Sequence, residues 1–191
     1  MAIIGWRKLA IMQGTGGFIN PEKVIGQLNV KPGMIVADFG CGHGYFTLPL
    51  ARAVGPDGRV WAIDVLAEAL EAVRSRAQLE GAVNIETARG NLEVAGGSKL
   101  PENAMDLVLL HNVLFQSQKK PAIVKEAKRV LKIGGIFILV DWRKDRDSIG
   151  PQGGWRLSFD EARSLAQEEG FAFNRVFDVG EYHYGLIFIK P

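Results

Sequence analysis

Short apolar runs and amphipathic stretches take turns along this chain. "MIVADF" (34–39) is a continuous apolar run too short for a typical helix, the pattern of a strand covered on both faces. "RVWAID" (59–64) repeats it after the turn "GPDG" (55–58), "VNIETA" (83–88) alternates, and "AMDLVLLH" (104–111) and "IFILVDW" (136–142) predict a fourth and fifth strand. Helical spacing fills the gaps. Asn20-Pro21 opens a helix to about 28 with a capping side chain and then proline, ahead of Lys31-Pro32-Gly33. "YFTLPLARAV" (45–54) reads as a helix that tolerates Pro49 only in its first turn or as a kink. "LAEALEAVRSRAQLE" (66–80) consists largely of strong helix formers, and "PAIVKEAKRVLK" (121–132) is a helix ended by Gly134-Gly135. "SFDE" (158–161) is a capping box for a helix to about 169, which Gly170 ends. The stretch "FAFNRVFDVGEYHYGLIFIK" (171–190) reads as two strands broken near Gly180. Five β-then-α units followed by a hairpin imply an α/β fold: a mostly parallel sheet with helices on both faces. No repeat, low-complexity tract or linker divides the 191 residues, so a single domain is expected.

Composition narrows the partners. Hydrophobic residues make up 47% and charged residues 23%, a globular rather than a disordered balance. No apolar run reaches the roughly 18–20 residues of a membrane span. The opening "MAIIGWRKLAIMQGTGGFIN" is broken by Arg7, Lys8 and glycines and makes a poor signal peptide, so a cytoplasmic protein is the default. The lone Cys41 excludes an intramolecular disulfide framework and any Cys-rich metal site. A net charge of +2 does not by itself imply nucleic acid.

The candidate chemistry begins at "VADFGCGHG" (36–44). In open α/β sheets ligands lie beyond the carboxyl ends of the strands, near the first βα turn, where glycines allow a tight turn and a close approach to backbone. A dinucleotide fingerprint reads G-x-G-x-x-G, whereas Gly40, Gly42 and Gly44 give G-x-G-x-G and Tyr45 stands where the third glycine would be. Asp38, two residues before the first glycine, would repel a pyrophosphate and suit a cationic amine. Asp64 ends the next strand, placed to accept from ribose hydroxyls. These features describe a nucleoside with a cationic amino-acid arm.

This combination resembles the class I methyltransferases that use S-adenosylmethionine, across nearly the whole chain. "VADFGCGHG" matches their first motif and "VWAID" (60–64) their second; "ARGNLE" (88–93) stands where they contact adenine. "KRVLKIGGIFILVD" (128–141) resembles their element before strand five, and "HNVLFQSQKKPAIVKEAKRVLKIGG" (111–135) resembles the ubiquinone/menaquinone-biosynthesis branch. The resemblance implies a Rossmann-like, seven-stranded sheet with a C-terminal antiparallel hairpin, S-adenosylmethionine as cofactor and S-adenosylhomocysteine as product. It places Gly40, Cys41, Gly42 and Gly44 along the methionine arm, mostly through backbone, with Asp38 on the amino group. Asp64 falls to the ribose, Val65 and Leu66 sit beside the adenine with Gly90, Asn91 and Leu92, and His111 lies next to the cofactor. Asn91 departs from the aspartate frequent there, though its carbonyl can still accept from the adenine amino group. The competing roles are plain helix caps for Asp64 and Asn91.

Methyl transfer asks for alignment and water exclusion, plus a base when the acceptor must lose a proton. His111, directly after strand four, is the first candidate base, Asp141 at the end of strand five the second, and His183 the third. A structural His111 is the alternative. The chain lacks the "NPPY" of base-amino methylation and has one cysteine where a metalloid methyltransferase needs several; the resemblance to the ubiquinone/menaquinone branch implies a small-molecule acceptor. The irregular "RKDRDSIGPQGGWRL" (143–157), with residues 1–19, is expected to cover the acceptor side, its glycines acting as hinges. Trp142 and Trp155 either flank a flat acceptor or pin that loop. Lys119, Lys120, Lys125, Lys128, Arg129 and Lys132 make a basic stretch that is a solvated face or, for an RNA- or protein-methylating enzyme, a docking surface. A nucleotide-binding module without catalysis is the rival from another class.

Overall fold

A computed structural model describes residues 19–146, 148–151 and 156–191. Strands β1 (Ile35–Phe39), β2 (Arg59–Asp64), β3 (Ile85–Arg89), β4 (Met105–His111) and β5 (Leu131–Trp142) run parallel. β6 (Ala172–Phe177) and β7 (His183–Ile189) complete a seven-stranded sheet in the order β3-β2-β1-β4-β5-β7-β6, with β7 antiparallel to both neighbours. The turn of order between β1 and β4 puts a crevice at the carboxyl ends of these two strands, where open α/β sheets bind ligands.

Strand alternation sorts the core onto two faces. Ala37, Phe39, Val108, Leu110, Phe137, Leu139, Leu186 and Phe188 point to one side. There they meet helices α4 (Lys120–Val130) and α5 (Phe159–Glu168) through Ile123, Val124, Ala127, Ala162 and Ala166. Val36, Leu107, Leu109, Ile138, Val140 and Ile187 point to the other side. They meet α1 (Pro21–Ile25) and α2 (Thr47–Val54), while α3 (Ala67–Glu80) packs Leu70 and Val73 on Ala62. Leu109 is fully buried, so its truncation to alanine removes about 2–5 kcal/mol. The caps are as the sequence predicts. Asn20 accepts from Lys23 N at 3.0 Å, and Ser158 and Glu161 form the capping box of α5. Pro49 lies in the first turn of α2, where an N–H has no helical partner anyway.

Three elements differ from expectation. α1 stops at Ile25, and 26–29 continue as turns to Asn29, whose backbone is left-handed (φ 53°). No helix follows β3: residues 90–104 make a turn-rich connection in which Gly96, Lys99 and Asn103 all carry positive φ. β5 starts at Leu131 rather than 136. Its register against β4 jumps from Met105↔Leu131 to Leu107↔Ile136, so 132–135 bulge out of the ladder, pinned by Gly134 N donating to Lys190 O at 2.8 Å.

Candidate functional site

The glycine turn after β1 folds back on β2, with Gly40 N and Cys41 N both donating to Ile63 O at 2.8 and 3.1 Å. All three glycines have positive φ, but for different surroundings. A Cβ on Gly40 would meet Val113 Cγ2 at 2.3 Å, and one on Gly44 would meet Leu48 and Val73 at 2.9 and 3.1 Å. Among the described residues nothing lies within 4 Å of a Cβ on Gly42. The outer glycines therefore serve packing, and of the three Gly42 borders open space among the described residues.

Asp64 braces that open glycine. Its Oδ2 accepts from Gly42 N at 2.9 Å and its Oδ1 from Leu66 N at 3.0 Å. Each oxygen keeps a second acceptor position, enough for a pair of neighbouring hydroxyls. Asp64 does not cap α3, whose N-cap position is Leu66 with no side-chain cap bond. Val65 and Leu66, beside it, are 49% and 52% exposed and form an apolar ledge. Half-exposed large aliphatics next to a backbone-braced carboxylate suit the flat base and ribose of a nucleoside.

Beneath the turn, Asp38 is buried and Thr47 Oγ1 donates to its Oδ2 at 2.6 Å. Burial pushes the Asp38 carboxyl up to about 7; the Thr47 bond opposes this and the nearby Asp64 charge adds to it. A carboxylate so starved of positive partners favours an incoming ammonium. Burial, with Asp38 and Asp64, also pushes the Cys41 thiol up, so it stays protonated and offers backbone, as the resemblance implies. Tyr45 is half-exposed and its hydroxyl donates to Ile19 O, closing one end of the turn. Thr47 and Tyr45 carry no motif and were not singled out as site residues; only their approach to Asp38 and Ile19 shows them.

The adenine-side segment is held from below. Gly90 is buried against Gly97 O and Ile63, Leu92 is in the core, and Asn91 N donates to Gly97 O at 3.0 Å. Asn91 Oδ1 accepts from Glu93 N at 3.0 Å, a turn rather than a helix cap, and the exposed residue keeps its Nδ2 and one carbonyl lone pair. Buried Glu126 of α4 anchors the segment, accepting from Gly96 N and Ser98 N at 2.9 and 3.0 Å and from Arg129 through both oxygens. Glu126 is a brace that sequence reasoning missed, because the contact spans about 30 residues with no pattern to mark it.

The three proton-handling candidates part company at the carboxyl edge. His111 and His183 point to the α1/α2 face, their ring centroids 6.1 Å apart, with Phe46 4.6 Å from His111 and Trp142 4.0 Å from His183. Asp141 pairs with Tyr184 in register and points to the other face. Its oxygens accept from Trp142 N and Phe115 N at 2.8 and 3.2 Å, fastening the short 3₁₀ turn Leu114–Gln116. Burial pushes Asp141 up to about 7 against these bonds. Burial and then His183 push His111 down to about 3; burial and Arg156 do the same to His183, so both rings are neutral at pH 7.

The segment after β5 is knotted by one residue. Arg156 donates to the carbonyls of Arg143, Arg146, Ile149 and Pro151 at 2.7–2.9 Å and lies 5.3 Å from the Trp142 ring centroid. A Cβ on Gly150 would strike that ring at 2.6 Å. Trp142 is thus buried under the segment and pins it. Trp155, residues 1–18 and the glycines at 153 and 154 lie outside the described residues. A cleft of about 480 Å³ opens beside the segment between Arg143, Phe159 and Tyr184. Half of the basic stretch is paired: Arg129 with Glu126, Lys132 with Asp106 and Lys125 with Glu169. Among the described residues no group of three His, Cys, Asp or Glu could hold a metal ion, and no helix is long and apolar enough to cross a membrane.

This geometry is that of a class I, S-adenosylmethionine-dependent methyltransferase fold, and residues 30–150 match the methyltransferase domain family. The chain belongs to that family. It is 30% identical over 120 residues to the demethylmenaquinone methyltransferase of Geobacillus stearothermophilus, covering 63% of this chain and 50% of that one. Over 125 residues it is 33% identical to the ubiquinone/menaquinone biosynthesis C-methyltransferase UbiE of Burkholderia orbicola, covering 65% and 50%. The chain spans about half the length of these curated relatives. A crystal structure of a SAM-dependent methyltransferase from Aquifex aeolicus is similar throughout, with a TM-score of 0.83, 28% identity and 91% of each chain covered.

Proposed function

We propose that this chain transfers the methyl group of S-adenosylmethionine to a small-molecule acceptor. The observation that carries this is the Asp64 carboxylate spanning Gly42 N and Leu66 N beside the exposed Val65–Leu66 ledge, with buried Asp38 at the far end of the turn. One end receives a nucleoside and the other an ammonium, and no diphosphate cradle lies between. Bound there, the sulfonium supplies an electrophilic methyl; the protein's share is to align an acceptor and keep water out. Asp64, Val65, Leu66 and Asn91 hold the nucleoside end in this reading and Asp38 and Gly42 the amino-acid end, while Gly40, Cys41, Gly44 and Leu92 shape the turn and its support from beneath. His111 faces the acceptor, but burial pushes it down to about 3, so it can hydrogen-bond the acceptor and is too weak a base to take its proton. Asp141 sits on the opposite face, tied to backbone, and acts by positioning the 114–116 turn rather than by touching the acceptor.

A quinone-type acceptor is supported by the likeness to a demethylmenaquinone methyltransferase and a ubiquinone/menaquinone biosynthesis C-methyltransferase. The test is direct. S-adenosylhomocysteine should bind and raise the melting temperature while NAD does neither, since a ligand stabilises only the state that binds it. A shift with NAD and none with S-adenosylhomocysteine would overturn the reading.

A further inference from the structure

Three polar atoms near the ends of β4 and β7 have no hydrogen-bond partner among the described residues: His111 Nε2, Asn112 Oδ1 and His183 Nδ1. All are closed to water, and a buried polar atom is ordinarily paired. They form one cluster, because Asn112 Nδ2 lies 3.2 Å from His183 Nε2 and the His111 ring is next to that of His183. The backbone of Asn112 is left-handed (φ 56°) while its N–H donates to Val140 O at 2.9 Å. Backbone held in that region by its surroundings is common where a side chain must be aimed. Here it aims the amide at His183.

The Asn112–His183 contact decides what is left over. With the amide NH2 toward the ring, Nε2 accepts and the ring proton sits on Nδ1, leaving that N–H as a donor and Oδ1 as an acceptor. With the amide turned, Nε2–H donates to the carbonyl, leaving Nδ1 as an acceptor and the NH2 as a donor. Either way the Asn112–His183 pair leaves one donor and one acceptor unfilled, with His111 Nε2 as a third open position beside them. A hydroxyl fills both, whereas a carboxylate only accepts and an ammonium only donates. The charges nearby are already engaged: the Arg156 guanidinium by loop carbonyls and Asp38 by Thr47. Trp142 and Phe46 already pack on the two imidazoles, with ring centroids 4.0 and 4.6 Å apart, so the unfilled atoms lie in an aromatic surround of the kind a planar ring matches.

We propose that His183, together with Asn112 and His111, recognises the methyl acceptor and selects an uncharged, hydroxyl-bearing planar ring. That the occupant is the acceptor rests on the methyl-transfer reading; the site itself does not. Three probes share a ring and differ in charge: 2-naphthol, 2-naphthoate and 2-naphthylmethylamine. Each is titrated into the full chain, alone and saturated with S-adenosylhomocysteine, by calorimetry and by nitrogen NMR of the labelled histidines. Binding of 2-naphthol should move the His183 ring nitrogens, and the charged probes should bind about tenfold more weakly or less, one hydrogen bond's worth. His183→Phe and Asn112→Gly should each weaken 2-naphthol about tenfold while S-adenosylhomocysteine affinity holds; glycine suits the left-handed backbone, so the second variant keeps the turn. Equal binding of a charged probe, binding of none of the three, or both variants keeping full 2-naphthol affinity overturns the proposal. A chain that takes 2-naphthol at His183 but no S-adenosylhomocysteine keeps the site and loses the methyl-transfer reading.

Discussion

Thr47 Oγ1 donates to Asp38 Oδ2 at 2.6 Å, and both groups are buried under the glycine turn. The bond holds down a carboxyl that burial has raised to about 7, so the native state binds a proton that the unfolded chain, at 3.8, has lost. The sign follows: between these values the native state carries more protons, and stability falls as pH rises from about 4 to about 7. Asp38→Asn should flatten that decline and make the ligand-free protein more stable at pH 8. An incoming ammonium needs the carboxylate, so S-adenosylhomocysteine should bind about tenfold more weakly at pH 6 than at pH 8. Thr47→Val should move this dependence upward by about one pH unit, the worth of one hydrogen bond. Calorimetry across that range checks all three. A pH-independent affinity would remove Asp38 from the amine.

Asp64→Ala should weaken S-adenosylhomocysteine about 10- to 150-fold, the worth of charge-assisted bonds to two hydroxyls. The fold should survive, because Asp64 is only half-buried and the N–H groups of Gly42 and Leu66 can turn to water. Unchanged affinity in a folded variant would reduce Asp64 to a brace for the turn.

Much of this was legible in the order of residues, and the exceptions share one cause. β1, β2, β4 and the capped ends of α1 and α5 follow from period and cap chemistry, which are local. The turn that replaces a helix after β3 depends on Glu126 reaching Gly96 and Ser98. The early start of β5 depends on Lys190 meeting Gly134 across the sheet edge. The placement of Asp38 and Asp64 at neighbouring strand ends beside the glycine turn was readable, because period and turn residues are local signals. Thr47, Asn112 and Glu126 were not, since each acts through a contact that only the packed sheet creates. Strand parity also separates His111 from Asp141, and parity at a strand's end depends on register that no motif records.

Glu126→Ala should cost about 3 kcal/mol, the lower end for breaking a buried pair, since Arg129 is partly solvated. For a chain of this size that is a fall of about 6–12 °C in melting temperature. Burial works to raise the Glu126 carboxyl, but Arg129, Ser98 and Gly96 outweigh it and hold it near about 2. Its contribution is therefore complete above 4.5 and is lost as pH falls through about 2. The wild-type and variant stability curves should converge on acidification, and parallel curves would contradict the pairing.

Arg156 gathers four carbonyls of the segment after β5, and its neighbour Trp142 packs against His183 with the two rings tilted. Arg156→Gln keeps a short donor but cannot reach four carbonyls at once, so the ring of hydrogen bonds should open. Losing bonds worth about 1.5–3 kcal/mol corresponds to amide exchange about 10- to 150-fold faster in 143–151. S-adenosylhomocysteine affinity should not change, because the cradle at β1 and β2 makes no contact with Arg156. The KM for an acceptor should rise, since the segment covers Trp142 and, through it, His183. Exchange that stays slow in the variant would assign the segment's order to other contacts. Faster exchange with an unchanged acceptor KM would separate the segment from the acceptor side altogether.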